Sequence, residues 1–261
     1  MKLCTFEVST PVGRHRRVGA LKDGVITDLN FATAWYLQQQ GEAEPQRLAD
    51  ALVPAAMPDF LAAGLRAMHT AEELFLGDGP RPADWWKHSP PPKGPNDETL
   101  VYLPREIRLL APLFNPSRVG TDEEVRCGDT FITELKLAAI IGKQGSSVRA
   151  IEARQHIAGF TAMNDLGTRT ALGPYLVTPD ELGNPYDLTA VVRVNGEERA
   201  RASSANLRPK FEDAIERLSS GDPILPGDII AFPFDCSPEV RTGDLIEFEV
   251  AKIGTLRTRA V

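Results

Sequence analysis

The chain has 261 residues, of which 42% are hydrophobic, and 36 acidic against 29 basic side chains give it a net charge of −7. This charge would repel a phosphate backbone, so nucleic acid is not an expected partner. Three widely spaced cysteines fit neither a disulfide framework nor a zinc-ligand pair, and no run of about eighteen apolar residues predicts a membrane span. We therefore expect a cytoplasmic protein without a membrane partner.

Residues 1–76 are predicted to form a small β/α module. Apolar and polar side chains alternate over 2–8, and the turn signal at 22–24 separates two further short strands. Asn30 is a candidate N-cap for a first helix, and a second helix is predicted over 57–75. These helices are expected to cover the sheet.

A proline-rich segment over 77–98 is predicted to link this module to the rest of the chain. It holds six prolines, which remove backbone donors and fix φ, so neither a helix nor a central strand can persist there. Trp85 and Trp86 lie within it and leave open a role as an interaction arm.

The remaining residues, 99–261, are predicted to form a mainly β domain. Segments rich in Ile, Leu and Val recur between Gly, Asp and Pro turns, with tight turns at 195–196 and 242–244. Two helices are expected to interrupt the strands, over 147–156 and 210–218. The whole chain is thus assigned to the α+β class, with strands predominating.

Several segments of this second part resemble, in a fixed order, the fumarylacetoacetate hydrolase family. They are Glu134–Lys143, Ile157–Asp165, Leu172–Leu182, Val192–Glu197, Leu225–Ala231 and Gly243–Val250. The resemblance implies a mixed β-sandwich roll that pairs into homodimers. It also implies activity on small carboxylate or 1,3-dicarbonyl substrates, by C–C cleavage, decarboxylation, hydration or isomerisation, although a fold does not fix which of these applies.

The resemblance places a divalent-cation site at Glu134, Lys136 and Asp165, where the family has three carboxylates. Residues two apart on a strand face the same side, so the first two project together. A lysine ammonium has no lone pair for magnesium or manganese, so we expect no metal, or a weakly bound one held by Glu134 and Asp165. We hypothesise that Lys136 takes over the electrostatic role of the cation. The alternative is an ion cluster without chemistry.

The family's enzymes carry a lid with a histidine and a glutamate that activate water, and the segment at 114–133 contains no histidine. His156 precedes a predicted strand and is more often a cap or packing residue there. The chain is therefore similar to an atypical member of the family that lacks the lid dyad.

Substrate contacts are expected mainly from Arg169, at a position where the family keeps an arginine, because a guanidinium binds carboxylates well. Further contacts are expected from Ser204 and from position 163, which is occupied by Met163, the threonine of that strand being Thr161. Phe232 and Phe234 replace a glycine-containing turn of the family, and aromatic packing is their expected role.

The resulting functional prediction is an enzyme that acts on a small oxo acid or 1,3-dicarbonyl compound through enolate stabilisation. Lys136, Arg169 and Glu134 are the predicted catalytic residues, because loss of the lid base favours steps that need a cationic site but no activated water. The alternative is a catalytically inactive homologue that serves as a partner subunit or ligand-binding module.

Overall fold

The computed structural model describes residues 1–10, 13–22, 24–76, 87–88, 107–110, 118–126, 130–166 and 169–261. Two compact units are present, Met1–Leu109 and Leu110–Val261. Most of the proline-rich segment predicted over 77–98 lies outside the described residues, so its role as a linker stays a prediction. No helix among the described residues is long and apolar enough to cross a membrane.

The described part of the first unit combines an antiparallel meander with four helices. Its elements are β1 (Lys2–Thr10), β2 (Gly13–Lys22), β3 (Val25–Asp28), α1 (Leu29–Gln39), α2 (Pro45–Leu52), α3 (Met57–Ala62), α4 (Leu65–Leu76) and β4 (Lys87–His88). Strand β1 pairs with β2, β2 with β3, and β3 with β4. The division between the units falls within strand β5 (Ile107–Leu110).

Three details of the first unit differ from the sequence prediction. Helix α1 is capped by Asp28, whose carboxylate accepts from the Phe31 amide at 3.0 Å, and not by Asn30, which is buried and donates to the Val53 carbonyl. The single helix predicted over 57–75 is two helices, because the chain turns at Gly64 with φ of 72°. Helix α2, which begins at a proline, was not predicted.

The second unit is mainly strand. Its elements are β6 (Arg118–Val119), β7 (Glu123–Val125), β8 (Thr130–Ile132), β9 (Glu134–Ile141), β10 (Ile157–Asp165), β11 (Thr170–Val177), α5 (Pro179–Leu182), β12 (Thr189–Val194), β13 (Glu197–Ser203), α6 (Phe211–Ser219), β14 (Ile229–Pro233), β15 (Glu239–Arg241), β16 (Leu245–Val250) and β17 (Gly254–Ala260). Its described residues also form two 3-10 helices, Ala150–His156 and Ser204–Asn206.

Two sheets of this unit enclose its core. One has the order β14-β9-β10-β11-β6 and the other the order β13-β12-β16-β17-β7, while β15 and β8 form a separate pair. Alternate side chains of both sheets meet between them, among them Leu137 of β9, Val192 of β12 and Phe248 of β16. The β12–β13 hairpin turns at Asn195 and Gly196, both with positive φ, as the sequence predicted.

Aromatic side chains pack against one another in the core of the second unit, and one of them, Phe211, lies at the start of helix α6. The rings of Phe211 and Phe232 lie 5.0 Å apart, and those of Phe234 and Phe248 lie 5.6 Å apart. The predicted packing role of Phe232 and Phe234 is therefore confirmed. The helix predicted over 147–156 is a 3-10 helix starting at Ala150, after Ser147 adopts a positive φ of 51°.

Candidate functional site

The candidate site lies at one end of the β9–β10 pair. In this antiparallel register Glu134 stands opposite Asp165, and Lys136 stands opposite Met163. Strand alternation sends Leu135 and Leu137 into the core, so Glu134 and Lys136 project from the other face of the sheet. The pairing therefore brings an ammonium and two carboxylates from two strands to the same point.

Lys136 bonds to both acids at this point. Its Nζ lies 2.7 Å from an oxygen of Glu134 and 3.0 Å from an oxygen of Asp165. The Lys136 side chain is 16% exposed, whereas those of Glu134 and Asp165 are 58% and 33% exposed. The predicted pairing of Lys136 with the two acids is present, and the acids border solvent around a largely covered ammonium.

The surroundings keep Lys136 charged. Burial alone would lower its pKa, but the hydrogen bonds that it donates to Glu134 and Asp165, and the charges of these carboxylates, outweigh that cost and raise the pKa above 10.5. An ammonium has three N–H donors, of which the two carboxylates take two. Within the described residues, the third is left for another acceptor.

The chain matches the model of the fumarylacetoacetate (FAA) hydrolase C-terminal domain at residues 90–172 and 167–261, which together span more than half of its length. It belongs to the fumarylacetoacetate hydrolase family. Human mitochondrial oxaloacetate tautomerase FAHD2A is 27% identical over 305 aligned positions that cover 100% of this chain and 92% of that protein. Maleylpyruvate hydrolase of Aquipseudomonas alcaligenes is 33% identical over 139 positions, which cover 47% of this chain and 48% of that protein.

A solved structure of the family confirms the fold. Maleylpyruvate hydrolase from Sphingobium sp. SYK-6 superposes with a TM-score of 0.70 at 20% identity, covering 100% of this chain and 99% of that one. The same hydrolase in complex with manganese (II) ion and pyruvate gives a TM-score of 0.69 at 19% identity. The predicted mixed, mainly β architecture of the fumarylacetoacetate hydrolase family is thus present.

The residues of this site do not fit a tightly held divalent cation. The Lys136 ammonium lies between Glu134 and Asp165, within hydrogen-bond distance of both, and repels a second cation there. Among the described residues, no group of three or more His, Cys, Asp or Glu side chains is placed to hold a metal. This arrangement differs from the three carboxylates that the family resemblance implies.

Arg169 follows the same strand pair. It lies in the turn between β10 and β11, where its carbonyl accepts from the Leu166 amide, and the next residue, Thr170, is paired with Asp165. The Arg169 side chain is exposed and makes no hydrogen bond or ion pair within the described part of the chain. It is available to a ligand at the strand end, and its contact with substrate stays a prediction.

The two candidate hydroxyl groups are enclosed. Ser204 is fully buried, and its hydroxyl accepts from the Leu188 amide at 2.8 Å, which anchors the chain before β12. Thr161 is fully buried, and its hydroxyl has no hydrogen-bond partner among the described residues. Neither hydroxyl reaches the exposed surface beside Lys136.

His156 has a packing position, as its sequence context predicted. Its Nδ1 lies 3.0 Å from the Lys143 carbonyl oxygen, and the side chain is 9% exposed. A Cβ at Gly145 would come within 2.6 Å of the imidazole ring, so this glycine permits the close contact. The segment at 114–133 that would carry a lid is described only at 118–126 and 130–133, so the absence of a lid dyad rests on the sequence.

The sequence analysis missed the apolar side chains around Lys136. The β14–β9 register places Pro233 beside Lys136 and Ala231 beside Ala138, on the same face. Met163 flanks Lys136 from the other side. The period-two pattern within each strand gives the faces, but only the cross-strand register shows which residues become neighbours.

Proposed function

We propose that this chain is an enzyme that stabilises the enolate of a small oxo acid with the Lys136 ammonium and needs no divalent cation. The reaction class is tautomerisation or decarboxylation. The main support is the position of the Lys136 Nζ, which lies 2.7 Å from a Glu134 oxygen and 3.0 Å from an Asp165 oxygen.

The charge of the site supports this replacement. A carboxylate together with a dication carries a net charge of +1, which is the charge of one lysine ammonium. With Glu134 and Asp165 retained, the site keeps the same overall charge whether it holds a third carboxylate plus a metal or Lys136 alone. An oxyanion forming on the substrate therefore meets a similar field, although one N–H donor replaces a Lewis acid.

The three predicted catalytic residues take complementary roles. Glu134 is the more exposed carboxylate and accepts the proton from the carbon next to the carbonyl. The electron pair of that C–H bond forms the C=C bond of the enolate, and the π pair of the C=O bond moves to the oxygen, which accepts a hydrogen bond from the third N–H of Lys136. Arg169 binds the substrate carboxylate, and the proton returns either to carbon or to oxygen.

The relatives support an enzymatic rather than a purely structural role. They include proteins named oxaloacetate tautomerase and maleylpyruvate hydrolase, so oxo acids with a carboxylate next to the carbonyl are the first substrates to test. From the family resemblance we also propose a homodimer, which light scattering would test. The cysteine usage supports a cytoplasmic location.

The test follows exchange of the C3 protons of phenylpyruvate and oxaloacetate for deuterium by NMR, after metal removal with a chelator and subtraction of the uncatalysed rate. Lys136→Met should lower kcat/KM by about 100-fold to 1000-fold, the usual effect of removing one oxyanion donor. Arg169→Met should raise KM. Arg201→Met, an exposed arginine paired with Glu198, is the matched control and should leave both constants unchanged.

Two results would contradict the proposal. One is loss of the wild-type activity on chelation with recovery on adding manganese. The other is full activity in Lys136→Met. If no oxo acid is bound or turned over by the wild type, the alternative of a partner subunit or ligand-binding module gains.

A further inference from the structure

An apolar surface starts beside the Lys136 ammonium and extends away from the two acids. Ala138 and Leu172 are fully buried, and Met163, Ile229 and Ala231 pack against them while remaining partly exposed. All five lie on the sheet face that carries Lys136. The surface formed by Met163, Ile229 and Ala231 is called the apolar shelf below.

Ile229 and Ala231 of the shelf lie on the side of Lys136 away from the acids, and Met163 lies in the same row as Lys136. Glu134 and Asp165 stand in the last row of the β9–β10 pair, and Ala138 lies two residues from Lys136 in the other direction along β9. Two residues of a strand span about 7 Å, which matches the length of a short alkyl chain or a phenyl ring. The surface around Lys136 thus offers a ligand a polar contact at one end and an apolar contact at the other.

A second carboxylate has no cationic partner on this shelf. Lys136 is the single basic residue in the four described strands β9, β10, β11 and β14, and it already bonds to two acids. A carboxylate lying over methionine and alanine side chains would lose water without gaining a counter-ion. An alkyl or aryl group there gains from burial instead.

We propose that the apolar shelf is the specificity subsite of this enzyme and selects 2-oxo acids that carry an alkyl or aryl substituent over dicarboxylic oxo acids. This inference rests on the proposed function, because it needs the oxo-acid end of the substrate at Lys136. Ala231 is the specificity-determining position, because it is small, partly exposed and directly beside Ala138 on the outer strand β14.

The experiment measures kcat/KM and, by calorimetry, affinity for straight-chain 2-oxo acids from pyruvate to 2-oxohexanoate, with oxaloacetate as the diacid. In the wild type, each added methylene should raise kcat/KM by up to about fourfold, the value for full burial of one methylene. Oxaloacetate should be a poorer substrate than 2-oxopentanoate by at least about tenfold.

Ala231→Arg places a cation on the shelf and should shift the preference toward oxaloacetate by about tenfold or more. Thr189→Arg, which adds the same charge at an exposed position of β12, should leave the preference unchanged. Met163→Ala shortens the shelf and should flatten the dependence on chain length. It also covers the case in which Ala231→Arg does not fold.

The outcomes separate the two proposals. If the wild type neither binds nor turns over any member of the series, the proposed function fails. If oxo acids are turned over but oxaloacetate is preferred and chain length has no effect, the apolar shelf is overturned while the proposed function stands.

Discussion

Two ion clusters of this molecule use the same kinds of group in different ways. In the first unit, Arg17 binds Asp28 through both oxygens and donates to Asn30 at 2.9 Å, and the Asp28 side chain is 7% exposed. In the second unit, Lys136 binds Glu134 and Asp165, whose side chains are 58% and 33% exposed. The first cluster is closed, and the second is open toward solvent.

The difference shows which cluster can take part in chemistry. Asp28 also caps helix α1, and Asn30 donates to Asp50 and to the Val53 carbonyl, so the first network joins β2, α1 and α2. A ligand would have to break these bonds to enter. At Lys136 a ligand can reach an N–H donor and two carboxylates without breaking the hydrogen bonds of the sheet. The comparison shows that a buried charge pair is by itself a weak sign of function, and that access for a ligand is also needed.

The largest expected effect comes from Lys136→Glu, which restores three carboxylates on the shared face. Without metal, activity should fall by about 100-fold or more, because like charges replace the oxyanion donor. Added manganese or magnesium should restore much of it, and titration calorimetry should show one cation bound per chain. Lys136→Gln, which adds no carboxylate, is the control. Absence of cation binding in Lys136→Glu would contradict the idea that Lys136 replaces a metal.

The closed cluster should respond in stability rather than in activity. Arg17→Met leaves the buried Asp28 carboxylate without its cation and should lower the free energy of unfolding by about 3 kcal/mol or more. Lys136→Met leaves acids that water reaches, so its effect should stay within about 1 kcal/mol. Denaturant unfolding measures both. Equal losses in the two variants would remove the distinction between the clusters.

The smallest expected effect concerns pH. Because its two acids raise the pKa of Lys136 above 10.5, the stability that it contributes is present at lower pH and is lost as the pH rises through the raised pKa. The pH profile of kcat/KM should therefore show no loss from lysine deprotonation between about pH 7 and about pH 10. A falling limb centred below about pH 9 in the wild type, and absent from Lys136→Arg, would contradict this.

The sequence was most informative where a local pattern decides the structure. The Asn195-Gly196 turn and the shared face of Glu134 and Lys136 were predictable, since turn residues and the i, i+2 strand rule act over a few positions. The place of Asp165 beside Lys136 came from the family resemblance. The cap at Asp28 was missed because Asp and Asn, two positions apart, are equally good N-caps. Their hydrogen bonds decide between them: Asp28 accepts from the Phe31 amide, whereas Asn30 donates to the Val53 carbonyl, a contact that depends on tertiary packing.

The apolar shelf could not be predicted because it depends on two cross-strand registers. Ala231 is about ninety residues from Ala138 in sequence, and nothing local to either residue indicates that they are neighbours. The fixed order of the family motifs allowed the fold to be predicted. Such motifs describe the site that the family shares, and not the residues around it that differ in this chain.

The β9–β10 register also limits how this protein can change. Asp165 reaches Lys136 only because eight pairs are held in line from Ile141 to Glu134, with one irregularity near Gly159. Inserting or deleting one residue in β10 beyond that point would turn Asp165 to the opposite side of the sheet and take Met163 with it. Substitutions can therefore change this site one side chain at a time, while length changes in that stretch would remove Asp165 from the site and Met163 from the apolar shelf together.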